Sequence, residues 1–349
     1  MAQEYTSLHE LLNHGFDAVI DVRSPAEFAE DHVPGAINLP VLSNEERAKV
    51  GTIYVQQSRF LARKIGAAMV FRNAATHVET QLMDKEGSWR PLVYCWRGGQ
   101  RSGSFCWMLG QVGWRSDVIE GGYRSYRRLV KRRLYDDHLP HRLVALDGYT
   151  GTAKTALLHV LMARGVQVLD LEGLAGHRGS LLGGMDDPQP GQKAFETRLA
   201  FALDALDPDR PVLVEAESSK IGARIVPPSL WSAMRNAPRI EVTAPVEERS
   251  AFLVRTYSDI MSDAENLRRK LDPLRKYRGH GVVDGWFELI GAGDKAGLAL
   301  ALMQQHYDPA YDKSRNAHAV RVLETIEAKT LDEAGLAQVA ARIEAAMGI

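Results

Sequence analysis

In the stretch YCWRGGQRSGS (94–104) a cysteine closes an apolar run and is followed at once by two arginines and two glycines. A thiol there has three uses: packing, metal ligation or nucleophilic attack. A strand ending in Cys95 and a helix opening near Ser102 leave a loop of backbone N–H groups between them. Those groups and the helix N-terminus make a positive pocket that suits an anion and a thiolate. Arg97 and Arg101 add charge, which lowers a cysteine pKa from its usual value of about 8.5. Gly98 and Gly99 let the backbone curl. Packing alone does not explain two arginines and two glycines after a core residue, so the nucleophile reading is favoured. Cys106, between Phe105 and Trp107 on an apolar helix, reads as core.

A second constellation is GYTGTAKT (148–155), which follows an apolar strand and opens a helix, the context a P-loop requires. Gly148, Thr150, Gly151 and Thr152 offer a backbone cradle for phosphates, Lys154 a point charge, and the Thr155 hydroxyl a metal contact. Ala153 stands where the motif has its last glycine. Its methyl is expected to crowd the phosphate, which favours diphosphate binding over tight nucleotide turnover. Mg2+ stays compatible with the loop. The next strands end in four carboxylates, Asp170, Glu172, Glu215 and Glu217, and nothing in the sequence ranks them. The Gly-rich stretch DLEGLAGHRGSLLGG (170–184) places His177, Arg178 and Ser180 after a strand, where α/β sites form, and reads as an anion or substrate clamp.

These loops must be held by alternating strands and helices. Strands are expected at 17–23, 35–40, 90–95, 116–123, 142–147, 166–172, 211–217 and 239–244, with helices opening at Ser24, over 102–113, after the glycine loop and over 191–206. Ser24, Pro25 and Glu27 form a helix start with a capping box. From 247 onward the pattern is mainly helical. The fold class is α/β: a parallel-sheet domain over 1–135 carrying Cys95, then a P-loop domain over 136–349 with a helical C-terminal part. The length of 349 residues agrees with two domains.

The net charge of −1 announces neither nucleic acid nor membrane in bulk, so any polyanion must meet a local patch. Two cysteines exclude a disulfide framework and a four-cysteine zinc site. No metal-ligand spacing is present, no run reaches the length of a membrane span, and a cytoplasmic location is expected. Two basic clusters could meet RNA. Arg124, Arg127 or Arg128, and Lys131, extended by Arg132 and Arg133, share a helix face at i, i+3/4, i+7 spacing. Arg268, Arg269, Arg275 and Lys276 form the other, with Tyr277 beside them to stack on a base. Solvated helix faces are the alternative use of such runs.

DVRSPAEF (21–28), HVPGAINLP (32–40), YCWRGGQRS (94–102) and VIEGGYRSYR (118–127) together resemble a rhodanese domain, whose loop cysteine carries sulfur or selenium. Five residues separate Cys95 from Arg101, one more than in many sulfurtransferases, a spacing shared with rhodanese-related phosphatases. A rhodanese domain joined to a P-loop domain, with LDGYTGTAKTALL, LDLEGLAGHRGSLLG, FETRL, VEAESSKIG and HYDPAYDKS in order, is similar to the tRNA 2-selenouridine synthase family. The resemblance implies a transferase that replaces sulfur by selenium in 2-thiouridine at the tRNA wobble position. Selenophosphate is the implied donor, and an S-geranylated intermediate comes from geranyl diphosphate. It also implies no tightly bound cofactor, a tRNA anticodon stem-loop as partner, and an enzyme elsewhere that supplies selenophosphate. Cys95 would handle selenium and Gly148–Thr155 the diphosphate. A rhodanese-type sulfurtransferase or phosphatase fused to a small-molecule kinase is the competing reading.

Overall fold

The structure, a computed structural model, describes residues 1–180, 182–185, 187–216, 218–315 and 320–349. Glu217, one of the four strand-end carboxylates, lies outside the described residues. Two compact units divide the chain. One comprises Met1–His138 with Pro190–Asp204, the other Leu139–Gln189 with Ala205–Ile349.

The first unit is built on five strands: β1 (Ala2–Gln3), β2 (Ala18–Asp21), β3 (Ile37–Asn38), β4 (Pro91–Tyr94) and β5 (Asp117–Ile119). They pair in the order β1-β5-β4-β2-β3, every pair parallel. All four residues of central β4 are buried, as expected where helices cover both faces of a parallel sheet. The capping box at Ser24 is present: its N–H and Oγ both lie 3.1 Å from Glu27 Oε2. The helix Gln100–Val112 stops at Gly113, which takes the left-handed conformation that glycine adopts at little cost. Two helices that the sequence pattern does not announce, Asn44–Gln56 and Arg59–Gln81, fill the connection from β3 to β4. The core joins Ile20, Val22, Val93, Phe105 and Leu109. The helix Gln192–Asp204 also belongs to this unit, although the sequence division at 135/136 assigns it to the second domain.

The second unit has β6 (Arg142–Asp147), β7 (Gln167–Leu169), β8 (Pro211–Glu215), a small antiparallel hairpin of β9 (Lys220–Ile221) and β10 (Arg224–Ile225), then β11 (Arg239–Thr243) and β12 (Val322–Glu327). Its main sheet runs β12-β11-β6-β8-β7, again all parallel. The chain from 247 onward is mainly helical, as expected, with one strand, β12, that returns to form the sheet edge. β7 also stops earlier than expected: Asp170 caps a short helix, Leu171–Ala175, by accepting the Gly173 N–H. The helix Lys154–Ala163 packs through Leu157, Leu158 and Leu161 against Val339, Ala340 and Ile343 of the last helix, Glu333–Met347. A separate apolar cluster, with Leu271, Val283, Trp286 and Leu302, holds the C-terminal helices together.

Candidate active-site loops and charged faces

The Cys95 loop leaves the end of β4 and enters the helix at Gln100. Gly98, at φ +64, has no room for a side chain: a Cβ would sit 2.8 Å from Ile119 O and 2.9 Å from Gly121 N. The loop is stitched underneath by Tyr123 N–H to Cys95 O at 2.8 Å and Arg124 N–H to Trp96 O at 3.2 Å. Ser102 Oγ–H donates to Cys95 Sγ at 3.2 Å. Burial raises the Cys95 pKa, but the Ser102 hydroxyl and amide, the Arg101 charge and the Arg97 amide outweigh it, leaving the thiol more acidic than an ordinary one. Cys95 is 3% exposed and continuous with the apolar core, so its surroundings favour the thiolate yet little of the residue meets solvent.

Arg97 and Arg101 are used differently. The Arg97 side chain is exposed and has no polar partner among the described residues, while its amide serves the sulfur. Arg101 Nη1 is tied to Glu27 Oε2 at 2.9 Å, and Arg47 Nε reaches the same oxygen at 3.0 Å. Burial raises the Glu27 carboxyl, but Arg101, Ser24 and Arg47 bring it down to about 2. Sequence reasoning took Glu27 as a helix cap only; its role in fixing Arg101 beside the cysteine loop depends on a contact 74 residues away. Cys106 donates to Asp117 O at 3.5 Å, and burial pushes its thiol up to about 11. It packs against the core, as expected.

In the second unit β6 delivers the glycine loop. Gly148 sits at φ +155, where a Cβ would meet Val242 O at 2.5 Å. Ala153 has φ +61, the only non-glycine residue with positive φ among the described residues. Ala153 is 4% exposed and belongs to the core cluster with Leu157 and Val242, and it also lines the chamber above the loop. Lys154 Nζ folds back to Gly148 O at 2.7 Å and Tyr149 O at 3.4 Å, and an arriving anion competes for it. The Thr152 hydroxyl is spent inside the loop on Tyr149 O at 2.9 Å. The Thr155 hydroxyl lies 2.9 Å from Glu172 Oε2 and 2.8 Å from Glu215 Oε1. Its single proton serves one of them at a time, so two of the four carboxylates converge on the loop. Asp170 does not: it caps a helix and meets His159 at 3.2 Å.

The segment 308–312 clasps this loop; in sequence it stands out only within HYDPAYDKS, one of the stretches that carry the resemblance. Tyr311 OH donates to Asp147 Oδ1 and accepts the Gly148 N–H at 3.0 Å. Tyr149 OH donates to Asp312 at 2.6 Å. Arg249 grips Asp308 through two bonds of 2.6 and 3.0 Å while its Nε donates to Thr150 O at 2.9 Å.

A cavity of about 1130 Å³ opens above the loop. Lys154, Thr155, Glu172 and Glu215 line one side and the 177–180 loop another, with Trp231, Phe252 and Tyr257 adding apolar wall. His177, Arg178 and Ser180 are therefore brought to the same chamber as the glycine loop. Arg178 pairs with Asp259 at 3.1 Å and lies 5.2 Å from the Tyr257 ring. Ser180 Oγ is 3.3 Å from Tyr257 OH. Burial and the Lys270 charge lower the His177 pKa, and its Nδ1 is buried without a hydrogen bond.

Of the basic clusters, Arg124, Arg128 and Lys131 are exposed on the helix Gly122–Lys131. Arg127, at the neighbouring position, turns inward to Glu196. Arg132 donates to the Thr6 carbonyl. In the second cluster Arg268 reaches Phe287 O at 3.4 Å, Arg269 reaches Asn266 at 2.8 Å, and Arg275 is neutralised between Asp272 and Asp284. Lys276 stays exposed, 5.9 Å from the ring of Tyr277, which is 72% exposed. Among the described residues no helix is long and apolar enough to cross a membrane.

A cysteine loop between a parallel strand and a helix, joined in one chain to a P-loop unit, defines a protein with a rhodanese-like domain and a P-loop domain. The family model for a rhodanese-like domain matches residues 4–129, and that for the tRNA 2-selenouridine synthase AAA domain matches 141–278. A tRNA 2-selenouridine synthase of Nitrosomonas europaea is 38% identical over 263 residues, 73% of this chain and 68% of the relative. Those of Hahella chejuensis and Shewanella denitrificans are 31% and 30% identical, with 87% of this chain aligned in each case and 87% and 90% of the relatives. The chain belongs to the tRNA 2-selenouridine synthase family and is an enzyme of that family.

Proposed function

We propose that the chain replaces sulfur by selenium in 2-thiouridine at the tRNA wobble position, with selenophosphate as donor, through an S-geranylated intermediate made in the P-loop unit. The observation that carries the second part is the chamber above Gly148–Thr155, where a phosphate cradle adjoins Trp231, Phe252 and Tyr257. A diphosphate with an apolar tail needs both. Lys154 takes the diphosphate in exchange for the two carbonyls it now holds. The thiocarbonyl sulfur forms a bond to C1 of the geranyl group, the C1–O bond breaks with its electrons going to diphosphate, and the base loses its N3 proton. Thr155, Glu172 and Glu215 form an all-oxygen set that fits Mg2+; a bound ion would offset the charge of the leaving diphosphate.

The thioether is a better leaving group than the thiocarbonyl sulfur. The selenium of selenophosphate then bonds to the base carbon as the geranylthiolate departs, and water takes the phosphoryl group, so that the P–Se bond breaks and phosphate is released. Selenium stays at the selenide level throughout, so the exchange needs no oxidant. The amide-lined, acidic thiol of Cys95 handles selenium delivery, helped by Arg97 and Arg101. Contact with tRNA falls to Arg124, Arg128, Lys131 and Arg132, and to Arg268, Arg269, Arg275 and Lys276. Of the second group, Arg275 must first leave its two aspartates. The test is Lys154→Ala in an assay of 2-thiouridine tRNA with geranyl diphosphate, read by nucleoside mass spectrometry. Loss of the S-geranyl nucleoside is expected, and wild-type geranylation by the variant would refute the assignment.

A further inference from the structure

We infer that the helices Asn44–Gln56 and Arg59–Gln81 form an RNA-binding face, and that the polyanion they take is the tRNA substrate. This rests on the reading that the chain acts on tRNA. Between Glu46 and Glu79 the sequence carries Arg47, Lys49, Arg59, Arg63, Lys64 and Arg72 and no acidic residue, in a chain whose net charge is −1. Arg47 is bound to Glu27. The other five are exposed, and none forms an ion pair among the described residues. Helix faces that serve only solubility mix both signs. A single-sign stretch instead makes a field that gathers a polyanion.

The same helices leave large rings in water. Tyr54 is 45% exposed, Phe60 67% and Phe71 37%; Trp107, from the helix that follows the Cys95 loop, is 59% exposed. The Trp107 ring stands edge-on to Phe71 with centroids 5.9 Å apart. The Arg59 guanidinium lies 5.6 Å from the Tyr54 ring and the Lys64 ammonium 5.1 Å from the Phe60 ring. Positions 60, 64 and 71 fall within about 40° of one another around a helix, so ring, ammonium and ring share one stripe. RNA meets both components: phosphates take the cations, and unstacked bases take the ring faces. An apolar protein partner would have to desolvate the ammonium without neutralising it.

The test titrates the full-length protein with a 2-thiouridine tRNA at several salt concentrations. The triple variant Arg59→Glu, Arg63→Glu, Lys64→Glu is expected to bind at least about tenfold more weakly, with the slope of log affinity on log salt smaller by about two. Phe60→Ala with Phe71→Ala weakens binding about tenfold and leaves the slope unchanged. Hydrogen exchange on the wild-type protein, which needs no variant to fold, is expected to show tRNA protecting residues 47–72. Unchanged affinity and slope in the triple variant, or no protection, overturns the inference. So does a triple variant that loses only binding to vesicles of anionic lipid, which makes the face a membrane contact. Conversion of 2-thiouridine by the wild type, measured alongside, separates the two failures. A converting enzyme indifferent to this face refutes the face alone; a wild type that neither converts nor binds tRNA refutes both.

Discussion

At Cys95 burial and hydrogen bonding work against each other, and hydrogen bonding wins with help from the Arg101 charge. The thiolate is favoured by the Ser102 hydroxyl and amide and by the Arg97 amide, with the Ser102 hydroxyl the strongest of these. The folded pKa lies below the ordinary one, so the thiolate fraction rises as pH climbs through that lowered value. Ser102→Ala removes the hydroxyl donor at 3.2 Å. The pH profile of Cys95 alkylation by iodoacetamide is expected to move to higher pH, with the rate near neutrality falling about tenfold, as for a hydrogen bond to a charged group. An unmoved profile would show that the amides alone set the pKa. The cysteine, the two arginines and the glycines were legible because they are adjacent in sequence. Glu27 was not, because its work is done on a guanidinium 74 residues away. The inward turn of Arg127 was equally hidden, since its partner Glu196 comes from a distant helix.

Among the elements, the helix Asp308–Arg315 does most to hold the glycine loop in shape. Arg249 links it to Thr150 O through a fork that only a guanidinium can supply. Asp308→Ala leaves Arg249, itself 5% exposed, without its carboxylate. A loss of about 2 kcal/mol is expected, below the range for a fully buried pair because Asp308 is partly open. Chemical denaturation would measure it, and Arg249→Lys should fail to preserve the wild-type midpoint. The strands that carry the two loops were readable from short apolar runs bounded by glycine and charge. β12 was not: its Val322 faces solvent and Ile326 alone is buried, so no alternation marks it. The helices over 44–81 escaped because cations and exposed aromatics occupy positions that an amphipathic pattern leaves polar.

Across the whole molecule, the first unit is not a continuous piece of sequence. The helix Gln192–Asp204 supplies it with Phe195 and Leu199, the Thr197 hydroxyl for Tyr126 OH, and Glu196 for Arg127 and Tyr135. A fragment ending at His138 would bare the apolar side of the helix Gly122–Lys131 and take Glu196 from Arg127, leaving it Asp31 at 3.9 Å. Such a fragment is expected to melt below the corresponding transition of the full chain and to bind a hydrophobic dye. Identical melting would show the helix to be dispensable. The two loops themselves were visible in sequence, but this exchange of a helix was not, because no local pattern says which core an apolar helix face will join.

The interleaving also bears on synthesis. A ribosome extends its product at roughly 5–20 residues per second, so the N-terminal sheet emerges seconds before the helix that finishes its packing. During that delay the nascent chain must shelter an open apolar seam while the residues destined for the other core are being made.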